Sequence, residues 1–201
     1  MNSVLIIYPS EFRSQSKFDR KVGNIVSNMR DYRVVYTSDE NGFIKNFFDA
    51  FADSVTIHQC DSWEAEAITH AIVFDDGEVF FEDITKIDER KIKLRRIHIN
   101  ITRVINIKKD NSFAGIKSNA VYEYIGRGSY WGNPYSMFAE GDSREEVIRK
   151  YKYDFDNEKF LKKKKSDVYK LAGKRLGCFC KPDACHGDVL ADFLNKWDDG
   201  K

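Results

Sequence analysis

The chain is predicted to be an α/β protein of Rossmann-like, three-layer architecture with a mostly parallel sheet. Three observations predict this. Short apolar runs alternate with stretches of helical spacing along the whole chain. Most of these runs end in clusters of Ser, Asp, Asn or Gly. Strands that alternate with helices favour parallel pairing, with helices covering both faces of the sheet. The elements fall into two halves, residues 1–100 and 101–201, with no Pro/Gly/Ser-rich linker between them, so one continuous sheet through both halves is an expectation to test.

The elements read in order as follows. Val4 to Tyr8 is a short apolar run, expected as a buried strand. Phe18, Val22, Ile25, Val26 and Met29 recur at three- and four-residue spacing and mark an amphipathic helix. Arg33 to Tyr36 is a second strand, Phe43 to Phe51 a second helix, and Val55 to Ile57 a third strand. A short helix over Glu64 to Ile68 leads to a strand at Ala71 to Phe74. A polar helix near Glu82 to Arg90 and a strand at Arg96 to Ile99 complete the first half. In the second half Arg103 to Ile107 alternates as a strand, and residues 108 to 120 read as a loop. Val121 to Ile125 is a strand that runs into a glycine-rich segment. Ser143-Arg144-Glu145-Glu146 is a capping box that opens a helix through Tyr151. A short helix around Val168 to Leu171, a strand at Leu176 to Cys180 and a helix at Gly187 to Trp197 follow.

Composition narrows the function. Of 201 residues, 42% are hydrophobic and 14% aromatic, enough for a packed core. Charged residues make up 32%, but their signs nearly cancel to a net charge of +1, which argues against a protein that coats DNA in bulk. No apolar run approaches the roughly 20 residues that span a bilayer. The first residues, with a short apolar run and no basic segment before it, do not read as an export signal. A cytoplasmic setting follows, and with it reduced cysteines. Abundant Lys, Asp, Ile, Phe and Tyr suit an AT-rich genome such as that of a large lytic phage, whose product would act in the host cytoplasm.

Two motifs carry candidate chemistry. The first is Gly126-Arg127-Gly128-Ser129-Tyr130-Trp131-Gly132-Asn133-Pro134, directly after a strand. Glycines allow sharp turns and close backbone approach to a ligand. Arg127 can fork onto a phosphate or carboxylate. Ser129 and Asn133 offer hydrogen bonds, and Trp131 or Tyr130 could stack on a base or sugar. The segment is neither a Walker loop nor a GxGxxG loop. An ordinary turn with an aromatic plug is the alternative.

The second motif is Gly177-Cys178-Phe179-Cys180-Lys181-Pro182-Asp183-Ala184-Cys185-His186-Gly187-Asp188. On a strand, Cys178 and Cys180 share a face and Phe179 points away. Cys185, His186 and Gly187 open the next helix, whose free N–H groups favour an anion and lower the pKa of a nearby thiol. Asp188 in the first turn is a cap, or it orients His186. Three readings fit the cluster. The cysteines are buried packers and His186 a cap; or Cys178, Cys180, Cys185 and His186 hold zinc; or a reactive thiol pairs with His186. For zinc, the adjacency of Cys185 and His186 is awkward, and there is no second CxxC pair. His58, His70 and His98 read as structural. The run Lys162 to Lys165 reads as a solvated helix face, or as a phosphate contact if it lies beside the site.

Val104-Ile105-Asn106-Ile107, the Ile125–Pro134 string, Arg144-Glu145-Glu146-Val147-Ile148 and Leu176 to Leu190 together resemble an uncharacterised bacterial and phage family, the domain of unknown function 4326. The resemblance covers about residues 103 to 197, with Phe179 where Trp is usual, Tyr135 where Phe is usual, and a longer insert between Lys109 and Val121. It implies that the two motifs form one site; it brings no established reaction. The first half, through Ala71-Ile72-Val73-Phe74-Asp75-Asp76-Gly77 after a segment containing Trp63, resembles Rossmann-like nucleotide-sensing domains. Where those domains carry a Gly-Gly phosphate loop, this sequence reads Thr37-Ser38-Asp39-Glu40-Asn41-Gly42.

The expected function is hydrolysis or group transfer on a small nucleotide-like or phosphorylated ligand. His186, Asp188, Cys178 and Cys185 are the catalytic candidates. Gly126, Arg127, Gly128, Ser129, Trp131, Gly132, Asn133, Cys180 and Gly187 are the ligand-binding ones. The alternatives are a non-catalytic protein that sequesters a nucleotide or nucleic acid, and a zinc-stabilised interaction domain. No membrane partner is expected.

Overall fold

The computed structural model describes residues 1–51, 54–137, 141–160 and 163–201; Lys162 of the basic run lies outside them. The chain forms two compact units, residues 1–99 with 196–201, and residues 100–195. Each unit has its own sheet, one of five strands and one of three, in place of a single continuous sheet.

The first unit runs β1 (Asn2–Ile7), α1 (Gln15–Val26), β2 (Tyr32–Tyr36), α2 (Phe43–Asp49), β3 (Ile57–Gln59), β4 (His70–Asp75), α3 (Phe81–Glu89) and β5 (Lys93–His98). A 3-10 turn at Trp63–Ala65 stands where a short helix was expected. The strand order is β3-β2-β1-β4-β5, all parallel. In the central strand Val4, Leu5 and Ile6 are fully buried, as a strand covered on both faces must be. Ser14 caps α1 by accepting from the Lys17 N–H. Gly42 begins α2 with φ of +72°, and the Asp39 carboxylate takes the cap role by accepting from the N–H groups of Ile44 and Lys45, each at 3.0 Å.

In open α/β sheets, ligands enter where strand order reverses, here beside the carboxyl ends of β1 and β4. In this unit Phe12, in the loop between β1 and α1, is buried and stacks on Phe74 of β4 at 5.0 Å. Phe18 stacks on the same ring at 5.2 Å, and Tyr8 lies parallel to Phe43 at 5.3 Å. Buried Asp75, at the end of β4, pairs with Arg96 and accepts from the Gly77 N–H at 2.9 Å. Residues 196–201 are tied to α1 through Lys17–Asp199 at 2.6 Å and Arg20–Asp198 at 2.7 Å.

The second unit runs β6 (Arg103–Asn106), β7 (Tyr122–Tyr124), α4 (Arg144–Asp156), β8 (Arg175–Cys178) and α5 (His186–Asn195). Its strand order is β6-β8-β7, all parallel, with Leu176 in register with Val104 and Glu123. Ser143 caps α4 by accepting from the Glu146 N–H at 3.1 Å, the first half of the expected capping box. The core joins Ile125, Trp131, Tyr151, Phe155, Leu176 and Leu190, drawn from loop, strand and both helices. Asn195 closes the unit by accepting from the Thr102 N–H and donating to its carbonyl, at 2.9 and 3.1 Å.

Candidate functional site

The glycine-rich loop follows β7. Its base is fixed by the Ile125 N–H, which donates to the Gly177 carbonyl at 2.9 Å and extends the pairing with β8. The loop then folds back on itself: Ser129 N–H donates to Gly126 O, and Gly132 N–H to Ser129 O, both at 3.1 Å. Gly128 supplies the turn with φ of +84°. A Cβ on Gly132 would sit 2.6 Å from the Gly126 carbonyl oxygen, so the two legs of the loop touch backbone to backbone.

The loop side chains divide sharply. Arg127 is exposed and carries no hydrogen bond or ion pair among the described residues. Asn133 is turned inward: its amide donates to the Val147 carbonyl at 3.1 Å and its oxygen accepts from Tyr135 N–H at 2.9 Å, fastening the loop to α4. Trp131 is a correction to the sequence expectation. It is buried in the core, and its carbonyl accepts from the Tyr151 hydroxyl at 2.9 Å, so its ring is not free to stack on a ligand. Tyr130 is half exposed but donates to Asp167 at 2.9 Å. The hydroxyl oxygen of Ser129 is buried without a hydrogen-bond partner among the described residues.

The second motif forms the corner between β8 and α5. The strand stops at Cys178, earlier than its pattern suggested. Beyond it the Asn106 amide donates to the carbonyls of Phe179 (3.3 Å) and Lys181, which replaces strand pairing with a side-chain clasp. Cys178 and Cys180 still come together, sulfur to sulfur at 3.5 Å, but Phe179 is not turned to the opposite face. Cys185 begins α5. Its sulfur accepts from the Gly187 N–H at 3.4 Å, and Asp188 accepts from the Cys185 N–H at 2.9 Å, a capping box with sulfur in the role of the usual oxygen. The other Asp188 oxygen pairs with Lys181 at 2.7 Å. Asp188 is therefore a cap. The orienter of His186 is the Ile125 carbonyl, which accepts from Nε2 at 2.9 Å. A carbonyl can only accept, so Nε2 holds the ring proton and Nδ1 keeps its lone pair, 3.7 Å from the Cys185 sulfur. Burial pushes the His186 pKa below the ordinary imidazole value.

The two motifs meet. A cleft of about 180 Å³ is lined by Gly126, Arg127 and Asn133 from the loop and by Cys178, Phe179, Cys180 and His186 from the corner. Six further residues complete its lining: Tyr135, Met137, Arg144, Val147, Ile148 and Ala184. The sequence had marked Arg144 only as the start of α4. It donates to the Ala184 carbonyl at 3.3 Å and pairs with Asp183 at 3.1 Å, which holds α4 to the corner. Its place one residue after a predicted helix cap was the available signal. Cys185 is only 1% exposed and lies behind the cleft rather than in it. Gly187 is packed against Ile125 and Val104, where a Cβ would come within 2.4 Å of Ile125 Cδ1. Gly128, Ser129, Trp131, Gly132, Cys185, Gly187 and Asp188 thus shape the cleft without lining it.

The sulfurs of Cys178, Cys180 and Cys185 all lie within 4.8 Å of one another. The hydrogen bond that the Cys185 thiol donates is the largest influence holding Cys178 down to about 5, while the same bond, with burial, pushes Cys185 up. Burial raises Cys180. Of the lysine run, Lys163, Lys164 and Lys165 do not line the cleft. Lys163 donates to the Gly132 carbonyl at 3.1 Å, and Lys165 lies over the Phe155 ring at 5.1 Å, so both brace the loop and core. His58 and His98 stand beside Glu66 and Asp75 in the first unit.

Comparison with known proteins gives a family for each half. Residues 1–105 match the minimal SLOG domain, and residues 105–196 match domain of unknown function 4326. An uncharacterised 12.4 kDa protein of enterobacteria phage T4 is 41% identical over 73 residues. That alignment covers 36% of this chain and 66% of the phage protein, just under two thirds of its length. No solved structure matches the chain. No helix among the described residues is long and apolar enough to cross a membrane.

Proposed function

The chain belongs to the minimal SLOG family and carries domain of unknown function 4326 behind it, and from that premise we propose that the second unit takes a small nucleotide-like or phosphorylated ligand into its cleft and acts on it by hydrolysis or group transfer. One observation carries this reading: Arg127, with no hydrogen bond or ion pair among the described residues, lines the same cleft as two thiols and an oriented imidazole. Arg127 supplies a forked donor for a phosphate. Phe179, half exposed on the lining, takes the stacking role expected of Trp131. The first unit's SLOG-type family supports nucleotide-related chemistry.

Size sets the ligand. The cleft holds about 180 Å³, below the roughly 300 Å³ at which pockets enclose a drug-sized molecule. It accommodates a phosphate or a sugar, and any base lies outside against Phe179. No carboxylate lines the cleft among the described residues, so proton transfer falls to His186.

The test is a thermal-shift panel of inorganic phosphate, ribose 5-phosphate and nucleoside mono- and diphosphates, followed by product analysis of the compounds that bind. At least one phosphorylated compound is expected to stabilise the protein. Arg127→Ala should weaken it about 10- to 100-fold, the worth of a charge-assisted hydrogen bond. Affinity that survives this substitution would overturn the cleft as the ligand site. Tight binding with no product would turn the reading towards sequestration.

A further inference from the structure

We infer that Cys178, Cys180 and Cys185 hold one thiophilic divalent ion, zinc in a cell, with its fourth coordination position open to the cleft. The inference rests on the ligand-site reading only for what the ion would do there; the ion's presence follows from the sulfurs alone.

Distance is the first support. A tetrahedral zinc with Zn–S bonds of about 2.3 Å places its sulfurs about 3.8 Å apart. Here Cys178 and Cys180 stand 3.5 Å apart, and no pair exceeds 4.8 Å. The trio needs only small side-chain rotations to close on a single ion. Thiolates select zinc and other soft ions over magnesium or calcium, which want oxygen, and among the described residues no carboxylate lines the adjoining cleft.

The mounting is the second support. Cys178 ends β8 and Cys185 caps α5, so two of the donors sit on regular elements. The Gly187 N–H already donates to the Cys185 sulfur, the kind of backbone contact that stabilises a ligating thiolate. Adjacent Cys185 and His186 made a four-ligand site awkward in the sequence, and the geometry bears on this point. His186 Nδ1 approaches Cys185 at 3.7 Å, yet His186 falls outside the mutually close set. Three protein donors and one open position is the arrangement of catalytic rather than structural zinc. The open side is set by burial: Cys185 lies at the back, while Cys178 and Cys180 line the cleft. A ligand oxygen held by Arg127 would meet the ion there.

Metal analysis of the full chain, purified without chelators from cells grown with zinc, tests this. One zinc per chain is expected. Exchange for cobalt should give sulfur-to-cobalt charge-transfer absorption and the visible bands of a tetrahedral ion. Cys178→Ser, Cys180→Ser and Cys185→Ser should each lose most of the metal, while Cys60→Ser, in the first unit, keeps it. Should those variants fail to fold, the wild-type chain suffices: a chelator should lower its Tm, and added zinc should restore it. Wild-type protein that binds no zinc and develops no cobalt–thiolate absorption on titration overturns the inference, as does a disulfide among these cysteines in protein kept under reducing conditions. Arg127→Ala separates the two proposals. It should keep the metal and lose the phosphorylated ligand, so loss of either property alone identifies which reading fails.

Discussion

The two units start from the same plan and end differently at the same place. Both build a parallel sheet and send a loop from a strand's carboxyl end into a helix. In the first unit that loop puts Phe12 into the space, against Phe74, Phe43 and Tyr8. In the second the loop sends its large aromatic, Trp131, backward into the core, and a cleft is left in front of Cys178 and His186. A strand–loop–helix unit thus offers only a place for a site. Whether the loop's aromatic residue turns forward into that place or backward into the core decides whether the place is filled.

The sharpest way to break this comparison is to remove the two aromatics. Trp131→Ala and Phe12→Ala should each cost about 3–5 kcal/mol of unfolding free energy, the usual price of deleting a buried aromatic. Hydrogen exchange tells them apart: Phe12→Ala should speed exchange first in β1 and β4, Trp131→Ala first around Ile125 and in β8. Trp131→Phe, which keeps a ring in the core, should restore much of the stability and leave ligand affinity unchanged. Loss of affinity in Trp131→Phe with stability intact would mean that the ring reaches the ligand, and the contrast between the units would fail.

A smaller effect probes how the cleft stays open. Gly132→Ala places a methyl 2.6 Å from the Gly126 carbonyl oxygen, a backbone atom that cannot step aside cheaply. Forced overpacking of this kind costs about 1–3 kcal/mol. Since the loop's legs carry Arg127 and Asn133, ligand affinity should fall with it. Gly115→Ala, at a positive φ with open space around it, should cost about 1 kcal/mol and leave affinity alone. Equal effects of the two substitutions on affinity, measured by titration calorimetry, would show that close contact within the loop does not shape the site.

Much of this was legible in the sequence, and the exceptions share a cause. Strand and helix positions follow from apolar spacing, and the meeting of the two motifs follows from their places after parallel strands. What could not be read is where each side chain's second partner lies. Trp131 looked like a stacking residue because a glycine-rich loop is usually exposed; Tyr151 on α4 and the core behind the loop draw it inward. Asp188 looked able to hold His186, but its carboxylate accepts from the Cys185 N–H as a helix cap, and the Ile125 carbonyl, sixty-one residues away, takes the imidazole. The alternation that turned Phe179 away assumed a strand to Cys180, and Asn106, seventy-three residues before Phe179, ends it. Local pattern sets the elements, whereas long-range hydrogen bonds set which way their ends face.

The smallest effect concerns how the first unit is closed, since it ends on ion pairs where the second ends on the neutral Thr102–Asn195 pair. Arg20 donates to Asp198, and this bond is the main influence holding the Asp198 carboxyl below its ordinary range. A carboxylate with a depressed pKa in the folded state contributes stability above its unfolded value, about 3.9, and loses it as pH falls through the lower folded value. Both partners are partly exposed, so solvent screening holds the contribution to about 0.2–1 kcal/mol. Urea unfolding of wild type and Arg20→Gln should therefore differ by that amount near neutral pH and converge by about pH 2. The same comparison for Asn195→Ala should show a gap that does not change over this range, because neither partner titrates there. A gap for Arg20→Gln that stays constant down to acid would mean that the tail is held by packing rather than by charge, and the two closures would then be alike.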